Sequence, residues 1–284
     1  EKPNLIIDNR KRVGYLSDEG FKLLDGGLVN SHVTPATVEY SFLRTFHIDD
    51  RKVLWLGSNS EGLLRCEGKK ITRYRLKNTQ RINQITSDRE GNLWIVNGQG
   101  WGSRAVRFDG KEFRTILPKD GLIGGIVDGL LVSTVNNIYP TEDGTIWFAT
   151  AHGISHYNGT SFLNFNTDYQ TFFRQFYEDA AGRLWIASNE GIYRYDSSTT
   201  VSFTKKDGVG PINDGDHSRK FYIDRTGNLW YSSADRGVVR YDGKYSQVFN
   251  VAEGLPHSNV RDILHSKDGA MWFATLGGGV SRYD

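Results

Sequence analysis

The chemistry open to this 284-residue chain rests on a small set of side chains: His32, His152, His217 and His257, the carboxylates Glu61 and Glu190, and Asn189, Arg236 and Trp101. A histidine beside a carboxylate can serve as a general base and its orienter, and the same groups can hold a divalent ion. Trp101 stands outside the register of the other tryptophans, which makes it the indole most suited to stacking on a sugar or another ring. The local signatures of a nucleophile elbow or a zinc protease, Gly-x-Ser-x-Gly and His-Glu-x-x-His, do not occur. Cys66 is the single cysteine, so neither an intrachain disulfide nor a cysteine-built metal site can form.

These residues lie far apart in sequence, so any joint action depends on the scaffold between them. That scaffold is a repeat. Trp55, Trp94, Trp147, Trp185, Trp230 and Trp272 follow one another at intervals of 39, 53, 38, 45 and 42 residues. Three residues before the Trp stands glycine in five copies (Gly91, Gly144, Gly182, Gly227, Gly269), preceded by Asp88, Asp143, Asp179, Asp224 or Asp268. Lys52 takes the glycine place in the remaining copy. A second pattern follows, as in Gly237-Val238-Val239-Arg240-Tyr241-Asp242, with arginine at Arg65, Arg194, Arg240 and Arg282 and histidine at His156. A seventh copy is expected at the N-terminus, where Asn4-Leu5-Ile6-Ile7 aligns with Asn92-Leu93-Trp94-Ile95 and puts Ile6 in the Trp place.

Each copy holds four short runs rich in Val, Ile, Tyr, Phe and Trp, bounded by Gly, Asp and Asn, which predict strands A, B, C and D. Around Trp230 they are residues 220–223, 229–232, 238–241 and 245–249. Connections of two to five residues make neighbouring strands antiparallel. Four-stranded units of this length predict an all-β fold, a β-propeller filling residues 1–284 as a single domain. Seven blades are favoured; the alternative is six, with the N-terminal D-like strand completing the last. A lone blade cannot bury both faces, so the recurring Trp is expected to pack between blades. Carbohydrate stacking by all six is the less favoured reading. The recurring Arg is expected to bond backbone or a turn acid.

Strand order sends the A–B and C–D turns to one face and the B–C and D–A loops to the other. The first face is repetitive turn chemistry; calcium ligation by its acids is the competing reading. The second face is irregular. It collects His32, Glu61, Trp101, His152, Asn189, Glu190, Arg236, His217 and His257, and two insertions at 32–41 and 121–134. Variable loops on a rigid frame concentrate binding, so these residues are expected to rim a polar ligand pocket. The alternatives are a merely solvated rim and, for Trp101, a cap over its own loop.

A net charge of +2 without a run of five like charges argues against a nucleic-acid partner and a polybasic membrane patch. No apolar stretch is long enough to insert this segment in a bilayer.

Asp88 to Ile95, Gly237 to Gly243 and Gly254 to Val260 together resemble the two-component-regulator propeller repeat. That resemblance implies a bacterial sensory domain, periplasmic or extracellular, binding a small molecule or oligosaccharide without catalysis or cofactor, and joined to other signalling domains. The repeat is also similar, more weakly, to that of streptogramin B lyases. This implies the alternative: a lyase or hydrolase using His and Glu or Asp on the same face, with a divalent metal.

Overall fold

The computed structural model describes residues 5–7, 13–17, 20–25, 28–31, 43–67, 70–76, 81–99, 102–127, 129–166, 173–179, 181–196, 199–204, 221–224, 226–233, 236–266 and 269–284. The chain divides into two compact units, Glu1–Tyr169 and Gln170–Asp284.

The first unit contains four antiparallel sheets with strands in sequence order. They are Leu5–Ile7, Val13–Ser17, Gly20–Asp25 and Leu28–Ser31; Leu43–Ile48, Leu54–Ser58, Leu63–Glu67 and Lys70–Tyr74; Ile82–Ser87, Leu93–Asn97, Arg104–Phe108 and Phe113–Ile116; and Val135–Pro140, Ile146–Thr150, Gly153–Tyr157 and Phe162–Asn166. A two-stranded hairpin, Gly125–Val127 and Leu130–Val132, stands apart from them. The second unit has the sheets Phe173–Glu178, Leu184–Ser188, Gly191–Tyr195 and Thr200–Thr204, then Phe221–Ile223, Leu229–Ser233, Gly237–Tyr241 and Ser246–Phe249. Its last sheet, Val260–His265, Met271–Thr275 and Gly279–Tyr283, has three strands among the described residues.

Within each unit the sheets pack face on face, and period-two alternation assigns the sides. In Leu93–Asn97, Leu93 and Ile95 point back to Trp55 and Leu63 of the preceding sheet, while Trp94 and Val96 point forward to Val135, Ile138 and Phe148. Trp230 likewise meets Val260, Ile263 and Phe273 of the following sheet, and Trp185 meets Phe221 and Tyr231. Trp55, Trp94, Trp147, Trp185 and Trp230 are at most 4% exposed. Trp55, Trp94, Trp185 and Trp230 are therefore the inter-sheet anchors expected from the repeat, and burial of surfaces this large dominates the packing energy.

Two expectations are corrected. Leu5–Ile7 is an edge strand that pairs only with Val13–Ser17, and it lies against Leu43–Ile48, the A strand of the next sheet. It therefore occupies an A place, and Ile6 does not stand in for the tryptophan, because every Trp-bearing B strand is paired on both sides. The D-like strand that six blades would lend to the end of the chain is Gly20–Asp25, paired on both edges inside its own sheet.

The recurring arginine reaches a turn acid in two copies, as expected, and also meets the indole. Arg65, Arg194, Arg240 and Arg282 stand directly opposite the Trp of their own sheet, each guanidinium carbon 5.6–5.8 Å from the indole centroid. The main contact is cation–π, with Arg65 also reaching Glu67 and Arg282 reaching Asp284. His156 keeps the same place by stacking on Trp147, centroids 4.4 Å apart.

Candidate ligand face

The two faces differ in how their polar groups are used. On the A–B face one arrangement repeats. Asp88 accepts from the backbone N–H groups of Glu90 and Asn92 with Oδ1, and from Trp94 Nε1 with Oδ2 at 2.8 Å. Asp179 does the same for Ala181, Arg183 and Trp185, and Asp224 for Thr226, Asn228 and Trp230. Asp49 accepts from Val53 N and from Trp55 Nε1 at 3.0 Å. In the last sheet Ser266 Oγ accepts from Trp272. Burial alone would push the Asp179 and Asp224 carboxyls up, but these bonds outweigh it and hold both below the ordinary carboxylate range. The acids are occupied with turns and indoles. The acid that matters lies six residues before the Trp, which Asp49 satisfies and which sequence reading missed; Asp143 and Asp268 stand only four residues before theirs in the sequence.

The B–C and D–A face is irregular, as expected. In the first unit His152 follows strand Ile146–Thr150, with its N–H bonded to Thr150 Oγ1. It is 7% exposed, and burial lowers its imidazole pKa. What covers it is the hairpin: a Cβ on Gly125 would strike the His152 ring. The hairpin turns Ile126, Leu130 and Leu131 outward, each more than 60% exposed. Glu61 is directed to Arg73 on the outermost strand of its own sheet, at 3.1 Å, and so away from the A strands.

In the second unit Asn189 and Glu190 form the B–C turn after Leu184–Ser188, where Ser188 Oγ accepts from Glu190 N. Burial, then the Glu190 charge, raises the Tyr193 hydroxyl pKa. Arg236 is exposed in the next B–C turn. His257 Nδ1 accepts from Asn259 N at 2.9 Å, which assigns the ring proton to Nε2. The side chain packs over Gly278. His32, Trp101 and His217 lie outside the described residues. Among the described residues no three His, Cys, Asp or Glu side chains converge as a metal site, and no helix is long and apolar enough to cross a membrane.

Sequence reading missed three cations on this face of the first unit. Arg44 donates to Asn59 Oδ1, Arg81 to Asn83 Oδ1 and Gln99 Oε1, and Arg104 to the carbonyls of Ser103 and Ser133. Arg44 stands eleven residues before Trp55, as Arg174 and Arg261 do before Trp185 and Trp272, a recurrence the sequence reading did not use.

No curated protein sequence matches the chain significantly. Among solved structures, a streptogramin B lyase is similar at a TM-score of 0.64 and 12% identity, over 99% of this chain and 92% of that one. Virginiamycin B lyase from Staphylococcus aureus gives 0.62 and 15%, over 99% and 94%. The extracellular domain of a putative hybrid two component system from B. thetaiotaomicron gives 0.58 and 17%, over 98% of this chain and 37% of that one. Such identities speak for fold alone, and the fold is a β-propeller. Two segments, residues 129–152 and 254–277, match the two component regulator propeller repeat.

Proposed function

We propose that the chain is a non-catalytic, ligand-binding propeller domain spanning 1–284, of the sensory type, acting outside the cytoplasm and needing no cofactor. Its ligand, a small molecule or oligosaccharide, sits on the B–C and D–A loop face. One observation carries this reading: the two faces diverge in regularity. The turn face repeats the Asp–Trp bond at Trp55, Trp94, Trp185 and Trp230, whereas the loop face carries a hairpin that the equivalent connection from Gly254 to Val260 lacks. Gly121-Leu122 and Gly254-Leu255 are equivalent, since each glycine closes a 3-10 turn with a left-handed φ near +100° and each leucine is buried between sheets. From there Leu255 reaches Val260 in five residues, but Leu122 needs thirteen to reach Val135. The extra length is the Gly125–Val132 hairpin with its outward Ile126, Leu130 and Leu131. Apolar side chains held in water on a rigid frame suit a contact surface.

A thermal-shift screen of oligosaccharides and small metabolites tests the reading. A stabilising ligand should lose at least about tenfold in affinity in Ile126→Asp and Leu130→Asp variants that melt normally. Stoichiometric metal in the purified protein, together with turnover of the hit, would refute the non-catalytic assignment.

A further inference from the structure

We propose that the outer edge of the last sheet, strand Gly279–Tyr283, takes up an extended strand of a partner polypeptide, and that this strand lays an aromatic side chain, Phe or Tyr, over the Trp272 indole. The edge is separate from the B–C and D–A loop face, and its occupancy is independent of the ligand reading.

Four other sheets show what covers an indole of this repeat. In each, the residue after the C-strand glycine stands opposite an aromatic of the D strand: Leu63 opposite Tyr74, Ile154 opposite Phe165, Ile192 opposite Phe203 and Val238 opposite Phe249. That aromatic stacks on the Trp of its own sheet, ring centroids 5.6–6.1 Å apart. The sheet of Trp94 puts Ile116 opposite Ala105 at the same place. Glycine makes the approach possible: a Cβ built on Gly153, Gly191 or Gly237 would strike the carbonyl oxygen of the paired aromatic.

The last sheet repeats the receiving half of this arrangement. Gly279 keeps the left-handed backbone, φ 92° against 89° at Gly237, yet among the described residues nothing lies within 4 Å of a Cβ built on it. Val280 is 63% exposed, whereas Leu63, Ile154, Ile192 and Val238 are at most 5% exposed. Trp272 is half-buried, whereas the other five indoles of the repeat are at most 4% exposed. Among the described residues Gly279–Tyr283 pairs only with Met271–Thr275, so its outer edge turns backbone donors and acceptors to solvent. An incoming strand gains the ladder of hydrogen bonds from that edge and a stacking platform from Trp272. Among the described residues every D strand is already paired within its own sheet. A second copy of the chain therefore has none to lend, and the strand comes from a different polypeptide.

Fluorescence anisotropy of the full chain with a labelled peptide copying residues 244–256 tests this, because that peptide carries a D strand and its ring, Phe249. The peptide should bind saturably, and hydrogen exchange should show new protection at residues 279–283. Phe249→Ala in the peptide should weaken binding at least about tenfold, and so should Val280→Lys in the protein. Val280 is exposed in the free chain, so its replacement leaves folding intact and reads the docking alone. Leu163→Lys, at an exposed D-strand position of another sheet, should bind as the wild type does. Absence of saturable binding, binding indifferent to Phe249→Ala or to Val280→Lys, or protection confined to other strands would overturn the inference. Self-association of the chain that competes with the peptide would assign the edge to a second copy and overturn it likewise.

Discussion

Trp94 Nε1 donates to Asp88 Oδ2 across 2.8 Å, and both residues are buried. One carboxylate thus closes the A–B turn with one oxygen and satisfies the indole that locks two sheets together with the other. The same pairing recurs at Asp179–Trp185 and Asp224–Trp230. Replacing Asp224 by Ala should leave the Trp230 indole N–H and the Asn228 backbone N–H without their acceptor in a buried site. The expected loss is about 2–4 kcal/mol of folding stability, read from urea denaturation. A loss within error would mean that the bond is incidental.

The same acids set a pH dependence. Asp179 and Asp224 have folded pKa values below the ordinary range, so on acidification the unfolded chain takes up their protons first. Their contribution is complete above about pH 4 and drains away as the pH falls through the folded values. Unfolding free energies measured from neutral pH downward should decline most steeply below about pH 4, and Asp224→Asn should make that decline shallower.

Lys52 holds the turn position that is glycine in the other copies, at φ 63°. Its N–H bonds Asp49 O just as Gly91 N–H bonds Asp88 O. The turn geometry is kept and the side chain bears the strain. Lys52→Gly should raise stability by about 1 kcal/mol, seen as a higher melting temperature; a decrease would show that the lysine makes a compensating contact.

Gly125 lies so close to His152 that a methyl group cannot be added without moving one of them. Gly125→Ala should destabilise by about 1–3 kcal/mol. His152→Ala opens the space, so the double variant should recover part of that loss. Strict additivity in this cycle would deny the contact.

Arg240 stacks on Trp230 at 5.6 Å. Arg240→Lys keeps the charge but loses the flat guanidinium, and about 0.5–1 kcal/mol should go with it. Equal denaturation midpoints for the two proteins would make the contact energetically neutral.

Much of this was legible from spacing. Strands, turns and the packing role of the tryptophans follow from a repeat whose members face identical surroundings, so the same residue answers the same need each time. The strand limits expected around Trp230 agree with the observed ones to within a residue. Reading failed where a short pattern was matched without its pairing partners: Leu5–Ile7 has the letters of a B strand but the edge position of an A strand. The candidate site was less legible. His152 is exposed in any reading of its loop, yet the hairpin covers it; Glu61 and Arg44 lie on the same face, yet point to different neighbours.

Local sequence, through glycine turns, strand alternation and a fixed interval between tryptophans, determined that this chain makes four-stranded sheets that must stack. Only the tertiary structure decided which side chains meet across a sheet boundary. Those contacts join residues tens of positions apart, and their geometry depends on how neighbouring sheets are set against each other, which no spacing along the chain encodes.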